Sequence, residues 1–540
     1  LQLRVELSPP ERNEARWLAG WLRRLDGYLE GNSMAGHFSS CGFRVRPYLQ
    51  NPAVDAITIS WLSNEDTPGQ LEIWKQGEEE NPSLLASSPV LANALDYHPE
   101  ENCDGSYCAD ASIPFLHQIR VTGLESDRVY YYRVSLGADT AVGQFTTPGP
   151  LANNLRFIVY ADSETEPEST GKHALWPGAD RATAMRRYPV DQTTGYAQNL
   201  RIIKDRQPAF VAIAGDLVQS GGEQRDWDEF WRHNEKLAAN SSILPAPGNH
   251  DYFGGPGELG KYDTVDSERA IRKYLTYFDL PDNGLKNKIY SERFYSIKHG
   301  PVTLIVMDPT DGLPHRSDQD PNWYLRGEGD GGYAPDWHPE SPQYAWLQKQ
   351  LLAARENSMF TFVMFHAAPY TSGVHGQRPG DGNGEDPLSS LPLQALTPLF
   401  MEYGVDAVFS GHDEMYEHSV VLGEEMDRDG GQQDHQIHFL DVGIGGDGLR
   451  GPKSSVENPA RIFLAHVDAP EVYTPDGVLQ DGGKHYGHLE VNLQRLTDGR
   501  WQAKFDPVYI FPVLNQQGQV IQFERRLYDD AFTLFSDKVE

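Results

Sequence analysis

The spacing of apolar residues changes twice along the chain and divides it into regions of different predicted structure. Residues 9–29 place Trp17, Trp21 and Leu25 four positions apart, a spacing that predicts an amphipathic helix. Over residues 43–147, short alternating segments such as ITISWLS and GQLEIWK are separated by Pro, Gly, Asn and Asp. Alternation of this kind is typical of strands with one buried face, and it predicts a small all-β sandwich.

After residue 153 strand-like apolar runs alternate with helical stretches such as GYAQNLRIIKDRQ, which predicts a layered α/β domain. Five apolar runs end in polar residues: NLRFIVYADSE, AFVAIAGDLV, SSILPAPGNHD, FTFVMFHAAPY and VDAVFSGHDE. Because ligands gather outside the carboxyl ends of strands in open α/β sheets, these endings are expected to meet in one crevice. The candidate residues are Asp162, Glu164, Asp216, Asn249, His250, Asp251, His366, His412 and Glu414.

Composition limits the possible partners and the setting of the protein. Lys and Arg number 46 against 78 Asp and Glu, which gives a formal charge of -32. This charge disfavours nucleic acids and anionic membranes, and no Lys/Arg cluster offsets it. No run approaches the roughly 18 apolar residues that span a bilayer. The acidity suits a secreted or periplasmic protein, and the opening LQLRVELSPP carries no signal segment, as expected of a processed or trimmed chain.

Three cysteines leave the redox chemistry open. Cys103 and Cys108 are close enough in sequence to form a small disulfide loop in an oxidising compartment, and free thiols are the alternative. Cys41 could also pair with either of them. The spacing alone does not choose among these possibilities.

The order Asp-x-x, Gly-Asp, Gly-Asn-His-Asp, His and Gly-His-x-x resembles that of the calcineurin-like metallophosphoesterases. The upstream sandwich narrows the likeness to the purple acid phosphatase-like branch, because Trp61, Leu124 and Tyr130 resemble a fibronectin type III pattern with its tyrosine corner. The segments RVRPYLQ, SPQYAWLQKQL and YGHLEVNL match as well, so the resemblance spans about residues 43–495.

The resemblance implies a four-layer α/β (α+β) sandwich with two central β-sheets flanked by helices, preceded by the fibronectin III-like sandwich. The expected organisation comprises an N-terminal extension with the helix, the β-sandwich, the catalytic domain and a C-terminal extension, at residues 1–42, 43–148, 153–495 and 496–540. The oligomeric state is left undetermined.

The resemblance also implies a dinuclear metal centre that hydrolyses phosphate esters. Asp162 and Asp216 are expected at the first metal, with Asp216 bridging, and Asn249, His366 and His412 at the second. A hydroxide that bridges the two ions would attack phosphorus. The remaining two residues of the Gly-Asn-His-Asp motif receive catalytic roles: His250 is the expected general acid, and Asp251 fixes or charges its imidazole.

The sequence departs from the family at three positions. Glu164 replaces the usual His or Gly, Gln219 replaces the tyrosine of the purple branch, and Glu414 replaces the second His of Gly-His-x-His. Without that tyrosinate the protein should not be purple. Oxygen ligands at the first site favour Fe, Mn, Mg or Ca, whereas Zn, Mn or Fe is expected at the second.

These departures leave alternative functions open. The carboxylates of the first site would carry a total charge of about −4, which cancels the charge of two divalent ions and weakens the attraction of the site for a phosphomonoester dianion. These carboxylates are Asp162, Glu164, Asp216 and Glu414. The first prediction, which follows from the family resemblance, is a phosphatase that hydrolyses small-molecule phosphomonoesters. The charge balance itself favours either a trivalent first ion or less charged esters, so a phosphodiesterase or nucleotidase is the alternative. A catalytically inactive metal-binding interaction protein is the alternative from another class. The glycine-rich segment after His366 adds His375 as a minor candidate, and DVGIGGDG at residues 441–448 is interpreted as a tight turn.

Overall fold

The fold begins with the β-sandwich that the alternating segments predict. In the computed structural model its eight strands form two antiparallel four-stranded sheets, ordered β1-β2-β6-β5 and β4-β3-β7-β8. The strands are β1 (Phe43–Ala53), β2 (Ala56–Ser63), β3 (Gly69–Lys75), β4 (Ser83–Ser87), β5 (Val90–Leu91), β6 (Phe115–Thr122), β7 (Val129–Leu136) and β8 (Asp139–Thr146).

The sandwich core consists of the inward positions of these strands. Ile59, Trp61, Leu71 and Tyr132 are buried in it, as expected for residues that alternate with solvent-facing positions. The hydroxyl of Tyr130 accepts a hydrogen bond from the backbone N–H of Glu125 at 2.9 Å. This is the contact expected of a tyrosine corner, which holds the turn before β7.

The structure describes residues 42–101, 112–149, 153–176, 186–256, 265–286, 290–310, 335–379, 385–386, 389–426 and 431–536. The predicted helix at residues 9–29 and the three cysteines lie outside the described residues. Contacts divide the chain into two units, Leu1–Ser40 and Cys41–Glu540, so the sandwich and the α/β body belong to one unit. None of the described helices is long and apolar enough to cross a membrane.

The larger body is built from twenty strands and five helices within the described part of the chain. The strands are β9 (Asn154–Tyr160), β10 (His173–Trp176), β11 (Arg186–Asp191), β12 (Phe210–Ile213), β13 (Ser242–Pro245), β14 (Tyr295–His299), β15 (Val302–Val306), β16 (Phe360–Ala367), β17 (Arg378–Pro379), β18 (Glu385–Asp386), β19 (Ala407–Gly411), β20 (Tyr416–Met426), β21 (Gln432–Val442), β22 (Arg461–Leu464), β23 (Val472–Tyr473), β24 (Leu479–Asp481), β25 (Gly487–Arg495), β26 (Trp501–Leu514), β27 (Val520–Leu527) and β28 (Phe532–Phe535). The helices are α1 (Gln192–Asp205), α2 (Gln224–Ala238), α3 (Val265–Tyr277), α4 (Pro342–Asn357) and α5 (Thr397–Glu402).

Two seven-stranded sheets form the centre of this body. The first has the order β13-β12-β9-β25-β26-β27, with β28 also paired to β26, and the second has the order β14-β15-β16-β19-β21-β20-β22. Aromatic side chains fill the space between them: the ring of Phe157 lies 5.9 Å from that of Phe362 and 6.3 Å from that of Phe409. Helices α1 and α2 contribute to the core of the first sheet, and α4 and α5 to that of the second. The predicted two-sheet architecture is confirmed.

Two of the helices carry recognisable N-terminal caps. Asp191 accepts a hydrogen bond from Thr194 N at the start of α1, and Ser341 accepts one from Tyr344 N at the start of α4. Both contacts satisfy backbone donors that a helix N-terminus leaves free. Residues 496–540 were predicted as a C-terminal extension. The described part of this segment contributes β26, β27 and β28 to the first sheet.

The sandwich contacts the α/β body through polar side chains on β1 and β7. Arg44 lies 3.0 Å from Asp228 on α2, and both side chains are almost fully buried. Tyr48 donates a hydrogen bond to the carbonyl of Tyr277 at 2.9 Å, and Tyr132 donates one to the carbonyl of Ala239 at 2.8 Å. These contacts hold the sandwich against α2 and α3.

Candidate metal centre

The predicted site residues follow neighbouring strands of the two sheets. In the first sheet, β9, β12 and β13 are parallel neighbours, and in the second β16, β19 and β21 are. Their carboxyl ends therefore face the same crevice, as the sequence pattern suggested. The backbone N–H of Ala161 donates to the carbonyl of Val442 at 3.1 Å, which joins the end of β9 in the first sheet to the end of β21 in the second. The N–H of Asp162 donates to the carbonyl of Gly215 at 3.2 Å, which joins the ends of β9 and β12 within the first sheet.

Three potential ligand atoms converge on Nε2 of the His366 imidazole, which is the fourth. Its Nε2 lies 2.9 Å from Oδ2 of Asp216, 3.0 Å from Oδ1 of Asn249 and 3.1 Å from Nδ1 of His412. Its Nδ1 lies 2.9 Å from the carbonyl of Ala214, so that nitrogen donates, and Nε2 is the ring nitrogen that a bound cation would use. A histidine held through its other ring nitrogen is typical of metal sites, and this donor set fits a cation.

Carboxylates occupy the other side of the crevice. Glu164 shares one group of potential ligands with Asp216 and His250, and a second with Glu414 and Asp447; in each group the ligand atoms lie within 4.8 Å of one another. Asp216 also belongs to the group around His366. The clusters are therefore contiguous, with Asp216 and Glu164 as their shared members.

Asp162 lies at the same end of the first sheet, but its carboxylate is directed at the backbone of the loop after β19. Both of its carboxylate oxygens lie 3.0 Å from the backbone N–H of His412, which donates to them. A Cβ at Gly443 would lie 2.6 Å from Oδ2 of Asp162. Asp162 therefore connects the loop after β9 to the loop after β19 and the turn after β21.

His250 faces this crevice with one edge of its ring. Its Nδ1 lies 2.9 Å from the backbone carbonyl of Gln219, and because a carbonyl only accepts, Nδ1 is the donor. Its Nε2 lies 4.0 Å from Oδ2 of Asp216. The ring also packs on Phe253, with centroids 4.4 Å apart. The backbone of Gln219 thus orients the imidazole.

Asp251 has partners other than the His250 imidazole predicted from the sequence. Its carboxylate is fully buried and accepts from the N–H of Gly248 at 2.8 Å and from that of Leu217 at 3.2 Å. Asp251 therefore binds the loops after β12 and β13 to each other. Gly248 is needed for space, since a Cβ there would lie 2.2 Å from Oδ1 of Asp216.

Five predicted ligands have left-handed backbone conformations, which are uncommon for residues other than glycine. The φ angles are 57° for Asp162, 36° for Glu164, 51° for Asp216, 79° for His412 and 48° for Glu414. Such conformations cost of order 1–3 kcal/mol each and cluster at functional sites. Their concentration in this crevice supports its assignment as the functional site.

Burial dominates the electrostatics of the carboxylates. It raises the pKa of Asp162 to about 7 and raises the pKa of Glu164 and of Glu414 well above the usual range. Burial alone would also raise the pKa of Asp216, but His366 and His250 together outweigh it and the pKa of Asp216 is lowered. For His366, burial acts to lower the pKa, and Asp216 raises it to about 9.

Two residues near the site, Asp447 and Arg450, were not predicted as ligands or neighbours, and a third, His375, was only a minor candidate. Asp447 lies in the DVGIGGDG segment, which does turn after β21 but also delivers a carboxylate to Glu164 and Glu414. Arg450 places its guanidinium 2.5 Å from Oε1 of Glu414. The minor candidate His375 stacks on His412, with ring centroids 3.7 Å apart. The only sequence signal for Asp447 was an acidic residue between glycines just after a buried strand.

Comparisons with known proteins indicate the class of domain that carries this crevice. Residues 173–415 match the family model of calcineurin-like phosphoesterases, a range that begins after Asp162 and Glu164. An uncharacterized protein from Mycobacterium tuberculosis is 28% identical over 357 residues, which covers 63% of this chain and 58% of that protein. A purple acid phosphatase from Glycine max is 22% identical over 369 residues, which covers 67% of this chain and 62% of the phosphatase. The chain thus spans less than two thirds of the length of these relatives.

Among solved structures, a purple acid phosphatase from seeds of yellow lupin, Lupinus luteus, has a similar fold. The TM-score is 0.56 at 18% identity, and the match covers 90% of this chain and 73% of the lupin chain. The chain carries a calcineurin-like phosphoesterase domain. Its relatives include purple acid phosphatases, so the family predicted from the ordered motifs is confirmed.

Proposed function

We propose that this protein is a metallophosphoesterase that hydrolyses small-molecule phosphate esters at the crevice between its two sheets. The observation that carries the proposal is the convergence of Asp216, Asn249 and His412 on the Nε2 atom of His366. Two bound cations would supply a water of lowered pKa and stabilise charge on the transferring phosphoryl group. The strongly acidic composition supports a location outside the cytoplasm.

The residues divide into two donor sets for these cations. Asn249, His366 and His412, with Asp216 shared, offer nitrogen and oxygen donors that suit Zn, Mn or Fe. Asp162, Glu164 and Glu414, again with Asp216, offer only oxygen donors, which suit Fe, Mn, Mg or Ca. The burial of all these side chains favours cation binding, because a cation compensates carboxylates that water does not reach.

His250 is the proposed proton donor to the leaving oxygen. Gln219 accepts from Nδ1 of the ring, so the Nε2 edge faces Asp216 and the substrate position. A ring protonated at both nitrogens can donate from Nε2 while Nδ1 stays bonded to the carbonyl. Asp251 supports this arrangement indirectly, because it fixes the loops that carry His250 and Asp216.

A preference for phosphodiesters is the second candidate within the same class. It is favoured by the carboxylates Glu164, Glu414 and Asp447, which lower the net positive charge of a loaded site. The electrostatic attraction of a doubly charged monoester to such a site is much weaker than its attraction to a more cationic site. For a singly charged diester the same change in site charge weakens the attraction less. Arg450, whose side chain is 47% exposed, is the nearest cation that offsets this effect.

The test compares hydrolysis of p-nitrophenyl phosphate and bis(p-nitrophenyl) phosphate by the purified protein after chelation and after return of Zn, Mn, Ca or Fe. We expect chelation to abolish turnover and metals to restore it. The variant His366→Ala should lose at least about a thousandfold in kcat, because it removes a ligand that three other donors surround.

The ratio of the two substrates decides between phosphatase and phosphodiesterase. Failure of every metal to restore hydrolysis of either ester would contradict the proposal and favour a metal-binding interaction protein. The distant variant Lys298→Ala, on β14, is a matched control that should keep wild-type turnover, because Lys298 contacts the carbonyl of Asn357 instead of the crevice.

A further inference from the structure

The turn after β21 brings a carboxylate to the crevice for which the family resemblance supplies no role. Glu164, Glu414 and Asp447 form a carboxylate triad whose potential ligand oxygens lie within 4.8 Å of one another. All three side chains are buried, with relative exposures of 3%, 1% and 6%. Buried carboxylates at such separations repel one another unless a cation or protons compensate them.

The backbone holds Asp447 in place through the loops that carry the other site residues. The N–H groups of Gly446 and Asp447 both donate to the carbonyl of Asp162 at 3.0 Å, and the N–H of Arg450 donates to the carbonyl of Glu414 at 2.9 Å. The turn is therefore tied to the ends of β9 and β19. Its position is a consequence of the fold, and the Asp447 side chain is presented in a fixed direction.

Two oxygens of the triad lack hydrogen-bond partners although they are buried. They are Oε2 of Glu414 and Oδ1 of Asp447. Gly448 leaves the space that Oε2 occupies: its φ is 53°, and a Cβ there would lie 1.0 Å from that oxygen. Buried polar atoms without partners are rare and costly, so these two oxygens point to a missing ligand.

The cations near the triad do not satisfy it. Among the oxygens of the triad Arg450 contacts Oε1 of Glu414, at 2.5 Å, and its guanidinium also lies 3.4 Å from Nε2 of His375. The Nζ atom of Lys172 lies 3.8 Å from Oδ1 of Asp447 but 3.0 Å from Glu166, its closer partner. Nδ1 of His250 lies 3.7 Å from Oε2 of Glu164. Arg450 and Lys172 are also about half exposed, so solvent screens their charges.

We propose that Asp447 is a metal ligand and that the carboxylate triad binds a hard divalent cation, with Ca²⁺ as the best match. Oxygen donors alone, three of them carboxylates, are the set that Ca²⁺ prefers over softer ions, and it accepts irregular geometry. The inference deepens the proposed function, because Glu164 and Glu414 are also ligands of its oxygen-only site.

The test measures Ca²⁺ binding by calorimetry to metal-depleted full-length protein, without any substrate. We expect Asp447→Asn to weaken Ca²⁺ binding at least about tenfold, since even partners outside the first coordination sphere change affinity by 10- to 100-fold. Glu166→Gln is the matched control: it removes the other carboxylate paired with Lys172, with the same charge change, and should bind Ca²⁺ as the wild type does.

Wild-type affinity in Asp447→Asn, or no Ca²⁺ binding by the wild type, would overturn the proposal. Thermal unfolding without metal identifies a variant that fails to fold. If Asp447→Asn fails to fold, Asp447→Glu, which keeps a carboxylate, should retain Ca²⁺-dependent stabilisation, and loss of that stabilisation in a folded Asp447→Glu would also overturn the proposal. The outcomes separate from those of the proposed function. If Ca²⁺ binding depends on Asp447 but no ester is hydrolysed, only the proposed hydrolase function is contradicted. If hydrolysis depends on His366 but Asp447→Asn binds Ca²⁺ as the wild type does, only the carboxylate triad is contradicted as a Ca²⁺ site.

Discussion

Individual side chains in the crevice are oriented by backbone groups more than by one another. The carbonyl of Ala214 accepts from Nδ1 of His366, and the carbonyl of Gln219 accepts from Nδ1 of His250. In both rings the opposite nitrogen is left to face the site. Because carbonyl groups only accept, they fix the tautomer of each ring, whichever residue types occupy those positions.

At this scale the proposed proton donor makes a prediction that depends on the leaving group. His250→Ala should lower kcat for an alkyl phosphate by about 10²–10⁴-fold and lower it much less for p-nitrophenyl phosphate. The reason is that p-nitrophenolate leaves without a proton, whereas an alkoxide needs one. Steady-state kinetics on both esters check the expectation. Equal losses would mean that His250 positions the substrate and does not donate the proton.

The sequence could predict the residue types at the strand ends but not all of their partners. Asp216, Asn249, His366 and His412 follow apolar runs at a readable spacing, so their convergence was predictable from the sheet rule. Asp447 was not, because its position depends on hydrogen bonds to the carbonyl of Asp162, 285 residues earlier in the chain. A glycine-rich turn gives no periodic signal for such a contact.

At the scale of elements, the loops after strands lock together in pairs. Asp251 bonds the N–H groups of Gly248 and Leu217, and so joins the loops after β13 and β12. The turn after β21 bonds the end of β9. The strand ends are rigid, and these contacts between loops fix the positions of the proposed ligands that follow the strands.

Close packing of these loops makes Gly248 sensitive to the smallest substitution. In Gly248→Ala the new methyl would lie 2.2 Å from Oδ1 of Asp216 and 2.5 Å from its backbone N, so the shared carboxylate must move. We expect the purified variant to retain less than half of the wild-type metal content by elemental analysis, with about 1–3 kcal/mol lost from stability.

Gly123→Ala separates loss of metal from loss of stability. Gly123 has a φ of 76° and open space around the position of a Cβ, so alanine there is strained but does not collide. That variant should be destabilised and keep its metal. Full metal content in Gly248→Ala would show that the loops after β12 and β13 tolerate the methyl and that the contact has no role in the site.

Across the whole molecule, stability also depends on buried polar groups that take no part in the proposed site. His485 lies in the loop before β25 and is buried against Tyr188 on β11. Its Nδ1 lies 2.8 Å from the hydroxyl of Tyr188 and its Nε2 lies 2.8 Å from the carbonyl of Gly482. The neutral ring fits these partners, because Nε2 donates to the carbonyl and Nδ1 accepts from the hydroxyl.

Burial lowers the pKa of His485 to about 4, and this shift makes the free energy of unfolding depend on pH. In the unfolded chain the histidine takes up its proton near pH 6.5, whereas the folded protein resists protonation down to about pH 4. The contribution of the neutral ring to stability is therefore complete above pH 6.5 and is lost as the pH falls from 6.5 to about 4, to a total of about 3 kcal/mol. In His485→Gln, which keeps a donor and an acceptor but cannot titrate, the fall in stability between pH 7.5 and pH 4.5 should be smaller than in the wild type. Denaturant unfolding of both proteins at the two pH values measures the difference, and parallel losses would show that protonation of His485 does not contribute to the acid sensitivity of the fold.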